Sequence, residues 1–158
     1  VADNRKYQIL MSTGKNNHYE TVMSYFKEKG LDLKNYPEIR ISEYIYDMDM
    51  ALNAADLIVA RSGSSVSEMT ALGKAAILIP SPYVAGHHQE HNARAVERSG
   101  GAVVITEDNL TPETLAKAAE TILTDDARLL AMSEGSKKIG ILDATDKIYD
   151  ILRNLVKK

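Results

Sequence analysis

Apolar residues follow two patterns that alternate along this chain. Short apolar runs are typical of buried strands, and apolar positions three or four apart are typical of helices that cover a core. The alternation predicts an α/β protein with a parallel sheet flanked by helices. The predicted strands are residues 7–12, 38–42, 55–60, 75–80 and 101–105. The predicted helices are a segment from Asn16 or Asn17 to Gly30, residues 47–53, segments opened by residues 62–65 and 87–92, a segment from Thr111, and residues 127–138 and 145–156.

The helix after residue 111 has the clearest start signal in the chain. Thr111 is a good capping residue, and Pro112 directly after it suits the first helical position. Apolar residues then recur at helical spacing, which predicts the side of the helix that faces the core. That predicted stripe is Leu115, Ala118, Ala119 and Ile122.

Composition narrows the class of protein. With 158 residues the chain is long enough for a single domain with its own core, and we predict one domain over residues 1–158. The net charge of -3 gives no basic field, so no nucleic-acid partner is expected. The absence of cysteine excludes disulfides and thiolate metal sites. No apolar run approaches the roughly 20 residues that a membrane-spanning helix needs.

Two consecutive strand-loop-helix turns concentrate the polar groups. The strand at 55–60 leads into the small polar loop 62–65, and the strand at 75–80 leads into the polar cluster 87–92. Ligands of parallel α/β sheets bind outside the carboxyl ends of the strands, where helix amino termini suit anions. We therefore predict a nucleotide-type site in this region.

The loop of Ser62, Gly63, Ser64 and Ser65 has two possible interpretations. Its backbone N–H groups can cradle a phosphate, or its serines can act as an ordinary helix cap. It is not a Walker loop, since no Gly-Lys-Ser/Thr sequence follows, and it is not a hydrolase nucleophile elbow.

Glu68 also has two interpretations. A carboxylate at the carboxyl edge of a parallel sheet can accept hydrogen bonds from both hydroxyls of a ribose. Alternatively, a first-turn glutamate interacts only with the helix dipole. The sequence pattern alone leaves both open.

The polar cluster contains histidines and amides. His87 and His91 are four residues apart and could supply half of a zinc site, but no third ligand is apparent, so no metal is predicted. His88, Gln89 and Asn92 can pair with sugar hydroxyls, which both donate and accept. The alternative is a solvated helix start.

Arg61 and three tyrosines complete the candidate groups. Arg61 follows a buried strand and can pair with a phosphate or with a neighbouring carboxylate. Tyr44, Tyr46 and Tyr83 can stack on a base or simply lie at the edge of the core.

Several of these segments together carry a family resemblance. They resemble the carboxyl-terminal, donor-binding domain of the MurG family, bacterial transferases that use UDP-N-acetylglucosamine to make lipid II. The resemblance covers about residues 7 to 156, although the loop from Arg61 to Glu68 is one residue shorter than the usual family pattern. The matching segments are residues 13–15, 44–48, 55–63, 67–68, 71–74, 79–82 and 88–93.

The resemblance implies a GT-B fold, which has two Rossmann-like domains, and a set of donor contacts. Glu68 would bind the ribose, the backbone of residues 63–65 would meet the phosphates, and the main chain of Ile45 would lie against uracil. The amides and imidazole of the polar cluster would face the sugar or its diphosphate. The implied substrate-binding residues are Ile45, Ser62, Gly63, Ser64, Ser65, Glu68, His88, Gln89 and Asn92.

The resemblance also implies a reaction and its partners. UDP would be displaced from N-acetylglucosamine by a hydroxyl of lipid I, without a metal or another cofactor. We expect the acceptor domain to be absent from this chain, so no catalytic residue is assigned and the chain alone is expected to be inactive. The full-length protein is expected in the cytoplasm, peripheral on the inner face of the membrane, with lipid and membrane contacts made by the absent domain.

Two alternatives remain open. One is a related glycosyltransferase that shares this domain, such as the eukaryotic dolichol-linked enzyme or a glycolipid synthase, and the glycolipid synthase would differ in donor. A non-catalytic binding subunit that works beside a partner chain is the other alternative.

Overall fold

The computed structural model describes residues 7–15 and 18–156, and it confirms the α/β class. Every predicted strand and helix corresponds to an observed element, with ends that differ by a few residues. The predicted caps Asn16 and Asn17 lie outside the described residues. In chain order the elements are β1 (Ile9–Ser12), α1 (His18–Glu28), β2 (Ile39–Ser42), α2 (Met48–Ala54), β3 (Leu57–Ala60), α3 (Ser65–Ala71), β4 (Ala75–Leu78), α4 (His88–Arg98), β5 (Ala102–Val104), α5 (Pro112–Leu123), α6 (Asp126–Lys137) and α7 (Ala144–Val156).

The chain divides into two compact units, residues 1–51 and residues 52–158. In the first unit β1 and β2 form a parallel pair with Ile9 opposite Ile39. Apolar periodicity identifies a strand but not its neighbours, so the sequence does not predict this pairing. The prediction of one domain over residues 1–158 stays a prediction.

The second unit is built on the parallel sheet β3-β4-β5, in which β4 is the central strand. All four residues of β4 are buried, and they alternate between two apolar clusters. Ala76 and Leu78 pack with residues of α3 and α4 on one face. Ala75 and Ile77 pack with residues of α5 and α6 on the other. Helices therefore cover both faces of this sheet, as expected for parallel strands.

Helix α5 begins and packs as its sequence predicts. The Thr111 hydroxyl accepts the N–H of Thr114 at 3.1 Å, and the Thr114 hydroxyl accepts the N–H of Thr111 at 2.9 Å. This reciprocal cap satisfies two N–H groups that a helix start leaves without partners. The predicted stripe is confirmed in the cluster below α5: Leu115, Ala118, Ala119 and Ile122.

Helix α6 carries two serines whose hydroxyls have different surroundings. Ser133 Oγ donates to the carbonyl of Gly73 at 2.7 Å. Ser136 is 1% exposed, and its Oγ has no hydrogen-bond partner among the described residues. A buried polar group without a partner costs roughly 1–3 kcal/mol, so Ser136 weakens the fold that Ser133 supports.

We expect Ser136→Ala to raise the free energy of unfolding by about 1 kcal/mol, because it removes the unpaired hydroxyl. Ser133→Ala is the matched control on the same helix. It should lower the free energy of unfolding by about 1 kcal/mol, because the Gly73 carbonyl loses its hydrogen bond from Ser133. Urea titrations of both variants measure the two values. Equal destabilisation by both changes would contradict the assignment.

Candidate functional site

The candidate site lies where β3 and β4 end. The two strands are parallel neighbours, with Ala60 opposite Leu78, so the loops that follow them leave the same edge of the sheet. The first loop enters α3 and the second enters α4. This brings residues 61–65 beside the start of the helix that carries residues 88–92.

Ser62 joins the first loop to α4. Its side chain is completely buried, and its hydroxyl donates to the carbonyl of Gln89 at 2.7 Å. Its own carbonyl accepts the Asn92 side-chain amide at 3.0 Å. Two hydrogen bonds therefore hold one loop residue against the first turn and a half of the helix. We call Ser62, Gln89 and Asn92 the loop–helix junction.

Gln89 extends this junction to the second loop. Its side-chain oxygen accepts the backbone N–H of Ser81 at 2.9 Å, which ties the chain leaving β4 to α4. The Nε2 atom of Gln89 has no hydrogen-bond partner in the described part of the chain. Ser81 was not among the sequence candidates, because nothing in the local pattern signals a bond between a backbone N–H and an amide eight residues later.

The turn into α4 has an uncommon backbone. Gly86 and His87 both have positive φ, at 64° and 49°, and within the described ranges His87 is the single non-glycine residue of this kind. His87 makes no side-chain cap for α4. The neighbouring His88 ring is exposed, with Nδ1 2.9 Å from the carbonyl of Ala85. The start of α4 thus presents an exposed imidazole and a helix end without a side-chain cap.

The first loop has open hydrogen-bonding groups as well. Ser64 occupies the cap position of α3 but makes no side-chain capping bond, so the simple serine-cap interpretation is not observed. The N–H groups of residues 63–65 have no acceptor among the described residues. Glu68 is exposed in the first turn of α3, and its carboxylate forms no ion pair within the ranges the structure describes. Donors and a carboxylate acceptor are therefore available on this loop and helix.

The arginines of this region are already paired. Arg61 forms an ion pair with Glu107 and donates to the carbonyl of Ile79 at 3.2 Å, which confirms the structural-pairing interpretation. Arg94, on α4, donates to Glu97 at 2.8 Å, and this hydrogen bond and the Glu97 charge raise the pKa of Arg94. Anion binding at these loops would accordingly fall to backbone N–H groups more than to free guanidinium groups.

Ile45 belongs to the first unit. It lies between β2 and α2 and is half-buried. The neighbouring Tyr44 and Tyr46 rings meet edge to face, with centroids 5.1 Å apart, and both are exposed. The exposed rings favour neither stacking on a base nor a core-edge role by themselves.

The described residues contain no group of three or more His, Cys, Asp or Glu side chains that could hold a metal ion. His87 and His91 gather no further ligand there. Over the same residues, no helix combines the length and the apolar character that crossing a membrane requires.

Comparison with protein families gives one match over almost the whole chain. Residues 1–149 match the glycosyltransferase family 28 C-terminal domain. The matched region contains every residue of the candidate site.

Two relatives illustrate the sequence similarity, and both are named UDP-N-acetylglucosamine--N-acetylmuramyl-(pentapeptide) pyrophosphoryl-undecaprenol N-acetylglucosamine transferase. The protein from Acetivibrio thermocellus is 52% identical over 122 residues, which is 77% of this chain and 33% of that protein. The protein from Bacillus cereus, numbered 1, is 43% identical over 156 residues, 98% of this chain and 42% of that protein. The chain thus spans less than half the length of these relatives.

A solved structure gives the corresponding result for the fold. The chain is similar to MurG from Acinetobacter baumannii with a TM-score of 0.77 and 26% identity, over 93% of this chain and 41% of that one. The predicted resemblance to the donor-binding domain of a GT-B glycosyltransferase is confirmed by these four matches.

The backbone at His87 gives a stability prediction. His87→Gly should raise the free energy of unfolding by roughly 0.5–1 kcal/mol, because glycine adopts positive φ without the steric cost that a side chain has there. His91→Gly is the matched control, four residues along in regular helix. It should lower the free energy of unfolding by roughly 0.3–0.5 kcal/mol, the difference in helix propensity between histidine and glycine. Thermal and urea unfolding measure both, and a loss of stability in His87→Gly would contradict the left-handed conformation.

Proposed function

We propose, since the chain belongs to the family of glycosyltransferase family 28 C-terminal domains, that it is the UDP-N-acetylglucosamine-binding part of a transferase that adds N-acetylglucosamine to lipid I. The names of the relatives at 52% and 43% identity supply the donor and acceptor. The observation that carries the proposal is the loop–helix junction. It holds the two polar loops together at one edge of the sheet, and the Glu68 carboxylate on α3 has no ion-pair partner among the described residues.

We assign UDP-N-acetylglucosamine to the polar groups at this edge of the sheet. The Glu68 carboxylate accepts hydrogen bonds from the ribose hydroxyls. The N–H groups of residues 63–65 contact the diphosphate. The imidazole of His88, the free amide nitrogen of Gln89 and the side chain of Asn92 face the N-acetylglucosamine. Ser62 belongs to the same loop, and the contact between the main chain of Ile45 and uracil that the resemblance implies stays a prediction.

The reaction is a displacement at the anomeric carbon. The bond from that carbon to the diphosphate oxygen breaks, and UDP leaves with the electron pair. The acceptor hydroxyl forms the new bond and gives its proton to a base that we do not place in this chain. Negative charge grows on the diphosphate as the bond breaks, and fixed N–H donors stabilise that charge without reorganisation.

The acceptor and the membrane are assigned to the other part of the enzyme. The relatives are more than twice as long as the matched region, and we place binding of the lipid-linked acceptor in the part of their length that this chain does not match. The whole protein would work in the cytoplasm as a peripheral protein on the inner face of the membrane.

A titration tests the donor assignment. Backbone amide NMR spectra recorded with increasing UDP-N-acetylglucosamine should shift at residues 63–65, at Glu68 and at residues 88–92. UDP-galactose serves as the competing donor, and stronger shifts with it would favour a glycolipid synthase instead. Unchanged spectra with both nucleotides at millimolar concentration would overturn the proposal.

Glu68 gives the sharper test of the ribose contact. We expect Glu68→Ala and Glu68→Gln to weaken UDP binding by roughly 1–3 kcal/mol, the range for hydrogen bonds to a charged group. Glu113→Gln is the matched control, since Glu113 is also an exposed first-turn glutamate, on α5. Isothermal titration measures UDP affinity in all three. Unchanged affinity in the Glu68 variants, with lower melting temperature, would leave Glu68 only its dipole role.

A further inference from the structure

Ser62 has the most constrained surroundings of the predicted site residues. Its side chain is 0% exposed, so its hydroxyl cannot reach a ligand in this conformation. Its hydroxyl and its carbonyl are both bonded to α4, the hydroxyl to Gln89 and the carbonyl to Asn92. The partners lie 27 and 30 residues further along the chain, so these bonds are not a product of local turn geometry.

We infer that Ser62 is a positioning residue that sets the place of the first turn of α4, and with it the sugar-facing groups, relative to the nucleotide-facing groups of α3. The inference rests on the proposed function and deepens it. Ser62 determines how well the site distinguishes UDP-N-acetylglucosamine from UDP, although it touches neither.

The nucleotide contacts and the sugar contacts are assigned to different helices, so a change at Ser62 can affect one set and not the other. Glu68, assigned to the ribose, lies on α3, and the Ser62 hydroxyl donates to α4 instead. His88 and Gln89, assigned to the sugar, lie on the turn of α4 that receives that hydroxyl. Losing the bond lets this turn shift, which weakens sugar contacts and spares nucleotide contacts.

Asn92 acts in the same way through its amide nitrogen. One N–H of Nδ2 is taken by the carbonyl of Ser62, which leaves the second N–H and the Oδ1 atom for a direct sugar contact. Asn92→Asp keeps the shape and an oxygen at that position but replaces the donor that holds the loop. It therefore separates a positioning role from a direct contact through oxygen.

The effect of Ser62→Ala is predicted for two ligands. The affinity of the 158-residue chain for UDP-N-acetylglucosamine should fall roughly fivefold, the equivalent of one neutral hydrogen bond. The affinity for UDP should not change. A residue that served only the stability of the fold would lower both affinities together, so the ratio of the two is the readout.

Ser99→Ala is the matched control. Ser99 lies at the other end of α4, and its hydroxyl donates to the carbonyl of Val96 at 2.7 Å, the same type and length of bond as that of Ser62. The control removes an equal bond from the same helix without touching the junction. It should leave both affinities unchanged.

Asn92→Asp provides a second test that does not depend on the folding of Ser62→Ala. It should lower the same affinity ratio, and the double variant should lose less than the sum of the single losses, because both changes release the same turn. An unchanged ratio in both single variants, or strictly additive losses, would overturn the inference. If the parent chain binds neither ligand, the proposed function itself has failed, which is a separate outcome.

Discussion

Strand β4 is sealed from water on both faces, and the arrangement of the second unit depends on that burial. Its four residues are at most 2% exposed. Without water, its backbone N–H and C=O groups must find partners in the protein, and β3 and β5 provide them on either side. The parallel ladder that results fixes the register of β3 against β4. The loops after both strands consequently emerge side by side, which is the precondition for any site built from the two.

Polar groups at that edge fall into two classes. One class is used by the protein: Ser62 with Asn92, the side-chain oxygen of Gln89, and Arg61 with Glu107 and Ile79. The other class has no protein partner among the described residues: the Glu68 carboxylate, the N–H groups of residues 63–65 and the amide nitrogen of Gln89. Buried hydrogen bonds in the first class are costly to break, because removing one partner strands the other. They therefore hold the second class in place before a ligand arrives.

Local pattern was sufficient to predict the elements, and insufficient to predict how they meet. The cap at Thr111 and the core-facing residues of α5 depend on neighbours within a few positions, so both can be predicted from the sequence. The ion pair of Arg61 with Glu107 and the bond from Ser62 to Gln89 depend on strand register instead. The pairing of β1 with β2 is non-local for the same reason. Ser62 shows the consequence: the local pattern predicts a phosphate cradle or a helix cap, and the structure shows a buried residue bonded to Gln89 and Asn92.

Side chains that are already fixed by internal hydrogen bonds lose less conformational freedom when a ligand binds. Side chains that must be immobilised on binding cost roughly 0.5–1.5 kcal/mol each, and Gln89 and Asn92 are already fixed by Ser81 and Ser62. The same internal bonds reduce the number of groups that can face a ligand, since one side of each amide is committed to the fold. An amide is well suited to this double task, because it carries a donor and an acceptor on separate atoms. Serine at position 62 is suited to its role for a related reason: its hydroxyl is small enough to be enclosed completely and still reach the carbonyl of an adjacent helix.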